Sequence, residues 1–340
     1  MDTRSPVTEL NQAKADMSMV GTSSHVEEPC PLCGKERAQE WLHAPDRFHG
    51  RRDRYVLLRC PACSLVWLSH PPKPDEMHQH YTDAYDKLIS AAGANSPARW
   101  KDRRTTLDLY KRSGSILDLG CSSGLFLATL PKGSWKLYGI EMSADSAKAA
   151  EARTGAKVFV GNVLDAPFPP ESFDVITCFD VLEHLHEPRR IMARVAEWLK
   201  ADGIFYVQVP NIDSAEARVF GSYWHGLELP RHLFHFSPKS LEALANATGF
   251  RVLSLETKRN QAVETSLRYA FDDLVSTVGI RRTPVAYRRE PSLPWRAARK
   301  VVRMTVLRGL LAFAPMVGGG EAIHAIFRRD GTVTEVGHQE

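Results

Sequence analysis

The chain has 340 residues, 43% of them hydrophobic and 25% charged, enough to bury a large core in one main domain plus something smaller. A net charge of only +4 speaks against a surface that binds nucleic acid throughout, and no apolar run of about 18 residues predicts a membrane-spanning helix. Six cysteines, four of them in two C-x-x-C pairs, fit a metal site in a reducing cytosol better than a disulfide framework.

Residues 1–28 lack the apolar stretch of a signal peptide and are expected to form a flexible arm. A short cysteine-bearing module with its linker is expected over 29–80. Cys30-x-x-Cys33 and Cys60-x-x-Cys63 are separated by 26 residues, and the hairpin-like "RDRYVLLRC" occupies part of that gap. The turn-forming residues of "CPLCG" and "CPACS" suit two knuckles that aim four thiolates at one point. A structural zinc on Cys30, Cys33, Cys60 and Cys63 follows, closed to further ligands. A redox pair is the competing reading and explains only one C-x-x-C. Arg47, Arg51, Arg52 and Arg54 stand near this module and suit contact with RNA; a lid over a small-molecule site is the other use of such a module. The Pro-rich "SHPPKPDEMHQHY" reads as an extended linker.

From Ser115 to Leu255 strand and helix signals alternate. "SILDLG" reads as a buried strand followed by a helix from Gly124. "WKLYGIEM" is the next strand, and "SADSAKAAEARTG" a helix with Ser143 as N-cap and Gly155 at its end. Strands "KVFVGN" and "SFDVITCFD" follow. The helix "PRRIMARVAEWLKADG" has Pro188 near its start and is expected to end before Gly203. "GIFYVQVP" is a strand stopped by Pro210. "SPKSLEALANATGF" is a helix capped by Ser237, and "RVLSLET" a strand. The pattern predicts a doubly wound α/β fold, a parallel sheet covered by helices on both faces.

Such sheets bind ligands at the carboxyl ends of strands, so "DLGCSSG" after the first strand is the expected cofactor loop. Its Gly120-Cys121-Ser122-Ser123-Gly124 also matches the G-x-S-x-G nucleophile elbow of hydrolases. That reading needs strands and oxyanion donors before the elbow, and the preceding residues read as helix and linker. A dinucleotide site needs glycines where Ser122 and Leu125 stand. A nucleoside cofactor without a pyrophosphate remains, with Glu141 at the end of the second strand placed to bind ribose hydroxyls.

At these residues the chain resembles the class I S-adenosylmethionine-dependent methyltransferases. "ILDLGCSSG" resembles their first motif, with Ser122 where glycine is usual. "GIE" resembles the ribose-binding block, and "GNVLDAPFPPESFDVITCFDVLEHLHEP" the adenine loop and fourth strand. "PRHLFHFSPKSLEALANATGF" resembles a segment of one subgroup. The resemblance implies a seven-stranded Rossmann-like sheet with its last strand, "GEAIHAIFRRDG", antiparallel. It implies that Gly120, Ser122 and Gly124 lie against the cofactor's methionine part, with Asp118 supporting its amino group. It further implies Glu141 on the ribose, Asn162 near the adenine and Asp180 beside the methionine end. For Asp118 and Asp180, loop capping is the alternative. His184 and His232 are the candidate general bases, against a role fixing their loops.

The charge is uneven. Between Gly161 and Pro230 five Lys/Arg stand against eleven Asp/Glu, whereas between Arg251 and Leu310 thirteen stand against five. Within an expected methyltransferase domain over 81–340, about 258–318 form an insertion. Its "WRAARKVVRMTVLRGLLAFAP" reads as a helix with Arg296, Arg299, Lys300 and Arg303 on one face. That insertion caps the acceptor site or meets a membrane surface. The expected function is S-adenosylmethionine-dependent methyl transfer to a small-molecule, sugar or lipid-linked glycan acceptor in the cytoplasm. The alternatives are an RNA methyltransferase with the zinc module as clamp, and a cofactor-binding partner protein without catalysis.

Overall fold

The computed structural model describes residues 25–51, 53–83, 85, 97–259, 263–277, 283–284 and 319–330. The arm expected over 1–28 falls almost wholly outside the described residues, as does the helix expected over "WRAARKVVRMTVLRGLLAFAP". Among the described residues no helix is long and apolar enough to cross a membrane.

Four strands come first: β1 (His25–Val26), β2 (Ala38–Pro45), β3 (Arg54–Arg59) and β4 (Val66–Leu68). Helix α1 (Pro97–Asp108) precedes β5 (Gly114–Leu119), β6 (Trp135–Glu141), α2 (Ala144–Thr154) and β7 (Lys157–Val160). Then come β8 (Phe173–Phe179), α3 (Pro188–Trp198), β9 (Leu199–Pro210), α4 (Ala215–Phe220) and β10 (Phe234–His235). The last described elements are α5 (Pro238–Ala247), β11 (Phe250–Lys258), α6 (Val263–Thr277) and β12 (Ala322–Arg329). The chain divides into two compact units. One comprises Met1–Tyr85, Pro210–Lys239 and Thr257–Ala322; the other Asp86–Val209, Ser240–Glu256 and Ile323–Glu340.

The first unit is built on a five-stranded sheet of order β1-β2-β3-β4-β10 with antiparallel neighbours. The hairpin β2–β3 fills the gap between the two cysteine pairs. A charged network lies inside this unit. Arg231, fully buried, donates from Nε to Glu228 at 3.2 Å, lies 4.0 Å from Asp46, and covers the rings of Phe48 and Tyr85. Asp46 in turn holds His49 at 2.8 Å. A buried guanidinium is tolerated because carboxylates and aromatic faces replace its water.

The second unit carries the seven-stranded mixed sheet, order β11-β12-β9-β8-β5-β6-β7, with its last strand antiparallel. The central strands are apolar on both faces, as parallel strands covered by helices must be. Helix α2 starts where Ser143 Oγ accepts from Ser146 N and stops at Gly155, left-handed at φ 71°. Helix α3 starts at Pro188 and buries Ile191, Met192, Val195 and Trp198, a stripe at helical spacing.

Two expected helices are shorter than predicted. After β5 there is only a 3₁₀ turn, Leu127–Thr129. Thr129 Oγ1 folds back on the Phe126 carbonyl, and Pro131 keeps Leu130 extended. Helix α3 ends at Trp198, short of the expected stop just before Gly203. Backbone N–H groups of Glu171 and Ser172 take the carbonyls of Glu197 and Trp198, so β9 begins at Leu199.

Candidate functional site

The loop after β5 turns sharply back over β6, with the N–H groups of Gly120 and Cys121 donating to the Ile140 carbonyl at 2.9 and 3.1 Å. Gly120, Ser122 and Gly124 all adopt left-handed backbone, at φ 66°, 48° and 74°. The two glycines are also needed for packing. A Cβ on Gly120 would stand 2.5 Å from Val181 Cγ2, and one on Gly124 3.0 Å from the backbone of Ala150 in α2. Ser122 is exposed and occupies a glycine conformation without that excuse. Left-handed backbone costs an L-residue about 1–2 kcal/mol. Ser122→Gly should therefore raise the thermal midpoint by about 2–4 °C, read by calorimetric melting. A lowered midpoint would mean that the hydroxyl makes a stabilising contact.

Glu141, at the end of β6, ties this loop to the next. Its Oε2 accepts from Ser122 N and its Oε1 from Ser143 N, both at 2.9 Å. Each oxygen keeps a further acceptor position, so a vicinal diol could still bond to both. Asn162 caps the 3₁₀ turn Val163–Asp165, its Oδ1 accepting from Leu164 N at 2.9 Å. The amide oxygen expected to face an adenine thus also holds its own loop, while the NH₂ is a second polar group for a base edge.

Asp118 is buried at the end of β5 and accepts from Thr177 Oγ1 at 2.6 Å. Burial pushes its carboxyl up to about 7; the Thr177 hydrogen bond and the Arg103 charge work against that rise. Asp180 follows β8 with φ 56°. It accepts from Arg103 Nη2 at 2.7 Å, Arg99 Nη2 at 2.8 Å and Gln208 Nε2 at 2.9 Å. Burial alone would raise this carboxyl; the two guanidiniums outweigh it and hold it at about 2. Sequence reasoning missed Arg99, Arg103, Thr177 and Gln208. The signal available was the four-residue spacing of the two arginines in "ARWKDRR", which puts both on one face of α1.

The two expected bases fall in different units. His184 ends the 3₁₀ turn Leu182–His184 just past β8, in the second unit. His232 belongs to the first. It is 5% exposed, with Nδ1 2.9 Å from the Gly226 carbonyl, to which it donates, and Nε2 3.6 Å from Glu228.

In the first unit the four cysteine sulfurs all lie within 4.8 Å of one another, with Cys30–Cys63 at 3.6 Å and Cys33–Cys60 at 3.5 Å. Tetrahedral zinc with sulfurs at about 2.3 Å separates them by roughly 3.8 Å. The pairs sit in two matching knuckles. Gly34 N donates to Cys30 O and Ser64 N to Cys60 O, and Gly34 and Ser64 share left-handed backbone at φ 66° and 65°. No disulfide joins them. The hydrogen bond with Cys63 pulls the Cys30 thiol down to about 5 and pushes the Cys63 thiol up, and burial raises Cys33.

A methyltransferase-domain family model matches residues 92–255. Over 140 residues the chain is 27% identical to a ubiquinone biosynthesis O-methyltransferase of Neisseria meningitidis serogroup C, covering 38% of this chain and 55% of that protein. Over 138 residues it is 33% identical to an uncharacterized protein of Methanocaldococcus jannaschii, covering 40% of this chain and 51% of that one. The chain thus spans about half the length of these curated relatives. Among solved structures, it is similar to one from a complex between the Haloferax volcanii Trm112 methyltransferase activator and a methyltransferase. The TM-score is 0.51 at 16% identity, covering 74% of this chain and 99% of that one, a likeness of fold. Residues 92–255 thus match a methyltransferase-domain model and lie in a seven-stranded mixed sheet of the α/β methyltransferase fold, in a chain that also carries a four-cysteine cluster.

Proposed function

We propose that the chain transfers the methyl group of S-adenosylmethionine to a small molecule, of the class of a sugar or lipid-linked glycan precursor, and that Cys30, Cys33, Cys60 and Cys63 hold a structural zinc. The observation that carries the cofactor reading is Glu141. One carboxylate pins both the glycine loop and the start of α2, and keeps acceptor positions for two ribose hydroxyls. A small acceptor is supported by the name of the Neisseria relative, an O-methyltransferase of ubiquinone biosynthesis. The RNA-clamp alternative loses support from two of its arginines. Arg47 is committed to Ser222 and the Tyr223 ring, and Arg51 to His80 and the Gln79 carbonyl.

When bound, the cofactor supplies an electrophilic methyl on a sulfonium. The protein's task is then to hold and orient. Asn162 meets the base edge, Glu141 the ribose, the Gly120–Gly124 loop the methionine part, and Asp118 its ammonium. A base is needed only if the acceptor must lose a proton. His184 and His232 are the candidates; unchanged turnover in both His184→Ala and His232→Ala would remove them.

Asp118 gives the cofactor reading a pH signature. Its carboxyl is raised to about 7, so it is largely neutral at pH 6 and charged at pH 8. Only the charged form pairs with an ammonium. Calorimetric titration with S-adenosylhomocysteine should show one site per chain, tightening about 3- to 10-fold from pH 6 to 8. Asp118→Asn should flatten that dependence. Absence of binding at either pH would remove the cofactor reading, and an unchanged slope in Asp118→Asn would remove the role of Asp118.

A further inference from the structure

The second unit carries another cleft, at the amino edge of its parallel strands. The turn that leads into β6 and the end of α2 that leads into β7 border about 580 Å³ of space, within the range of a small-molecule site. Lys132, Lys136, Arg153 and Lys157 line it together with Trp135 and Tyr138, and no carboxylate does. β6 has seven residues, so its start at this cleft and its end at Glu141 stand about 20 Å apart. The cleft is therefore separate from the cofactor loop.

Four like charges around one cleft repel one another. Elsewhere in this unit cations find carboxylates: Arg104 pairs with Asp108, Lys111 with Asp202, Arg194 with Glu197 and Lys200 with Asp174. Among the described residues none of the four lining cations has such a partner. Arg153 has a local reason to be there, since it stands in the last turn of α2, where the helix dipole favours a cation. The lysines have none. Strand alternation puts Lys136 and Tyr138 on one face of the sheet, and the register Tyr138↔Lys157 brings Lys157 beside them. The buried Nε1 of Trp135 also lacks a hydrogen-bond partner. The rim is open, because a Cβ at Gly133 or Gly155 would meet no atom within 4 Å. We propose that this cleft binds a small polyphosphate, an anion of two or three linked phosphates, free or carried by a nucleotide. Ammonium and guanidinium groups donate charge-assisted bonds to phosphate oxygens, and linked phosphates match several cations where a single one leaves most unmatched. A nucleic-acid strand suits the cleft less. It calls for exposed aromatic platforms along a groove, and Trp135 is only 8% exposed.

The test is calorimetric titration of the full chain, in magnesium-free buffer, with pyrophosphate, tripolyphosphate, ADP and a short single-stranded RNA. Tripolyphosphate should bind at one site per chain, with affinity that falls as salt rises. ADP equal to pyrophosphate would identify a site for the phosphates alone, and ADP tighter by about 10-fold a site for a nucleotide. Lys136 and Lys157 are exposed, so their replacement leaves the core intact. Lys136→Gln and Lys157→Gln together should weaken tripolyphosphate by about 10-fold or more and leave S-adenosylhomocysteine binding within about twofold. No saturable binding of pyrophosphate or tripolyphosphate up to about 1 mM would overturn the proposal. So would a double variant that binds tripolyphosphate like the wild type, which would place the anion elsewhere. RNA binding more tightly than tripolyphosphate, and lost in the same variant, would overturn it in favour of a nucleic-acid surface.

Discussion

Replacing Cys60 by serine, or removing metal with a chelator, is expected to lower the thermal midpoint by roughly 10 °C or more. Cys60 sits between β3 and β4, whose Leu57, Leu58, Val66, Trp67 and Leu68 form much of the first unit's apolar interior. Cys30, Cys60 and Cys63 are themselves buried. A zinc ion would neutralise the thiolates and cross-link the knuckle before β2 to the one that joins β3 and β4. Without it, the thiols face one another at 3.5 and 3.6 Å with only weak hydrogen bonds in place of coordinate bonds. Metal analysis of reduced protein should find one zinc per chain. Less than that, or a Cys60→Ser protein that melts like the wild type, would count against the metal.

Glu141→Ala is expected to weaken S-adenosylhomocysteine binding by about 100-fold or more in a calorimetric titration. The substitution removes two charge-assisted acceptors for the ribose, each worth about 1.5–3 kcal/mol. It also releases the N–H groups of Ser122 and Ser143, so the loop that must meet the methionine part loses its anchor. Glu141→Gln keeps one acceptor oxygen and should fall between the two. A Glu141→Ala protein within threefold of wild type would show that the ribose is held elsewhere.

Much of the second unit was legible because strand and helix periods differ and their ends carry chemical marks. In "SFDVITCFD" the run between Asp174 and Asp180 is apolar but for Thr177 and became the buried part of β8; Ser143 and Gly155 bound α2 as a cap and a left-handed stop should. Pro188 opens α3 as expected, but the helix ends at Trp198 because the neighbouring Glu171–Ser172 backbone competes for its last carbonyls, a tertiary event. The helix expected from Gly124 failed for a local reason, since only six residues separate Gly124 from Pro131. At the site, the Gly120–Gly124 loop and Glu141 could be named from strand order and spacing, while Asp118, Asn162 and Asp180 were named from the family resemblance. Arg103 could not: a buried arginine is unusual enough that sequence alone places it on a solvated face. The same bias hid Arg231 in the first unit. Serine at 122 was the opposite case, a residue conspicuous in sequence whose backbone does what a glycine would do there.

The central claim is methyl transfer to a small acceptor, and labelled transfer tests it most directly. The full chain is incubated with cell extract and S-adenosylmethionine labelled in its methyl group, and the products are separated by size after nuclease and protease digestion controls. The label is predicted in a small-molecule or lipid-linked fraction whose mobility neither digestion changes, and it should be absent with Glu141→Ala. No transfer into any fraction, or label that nuclease or protease releases from a macromolecule, would contradict the account.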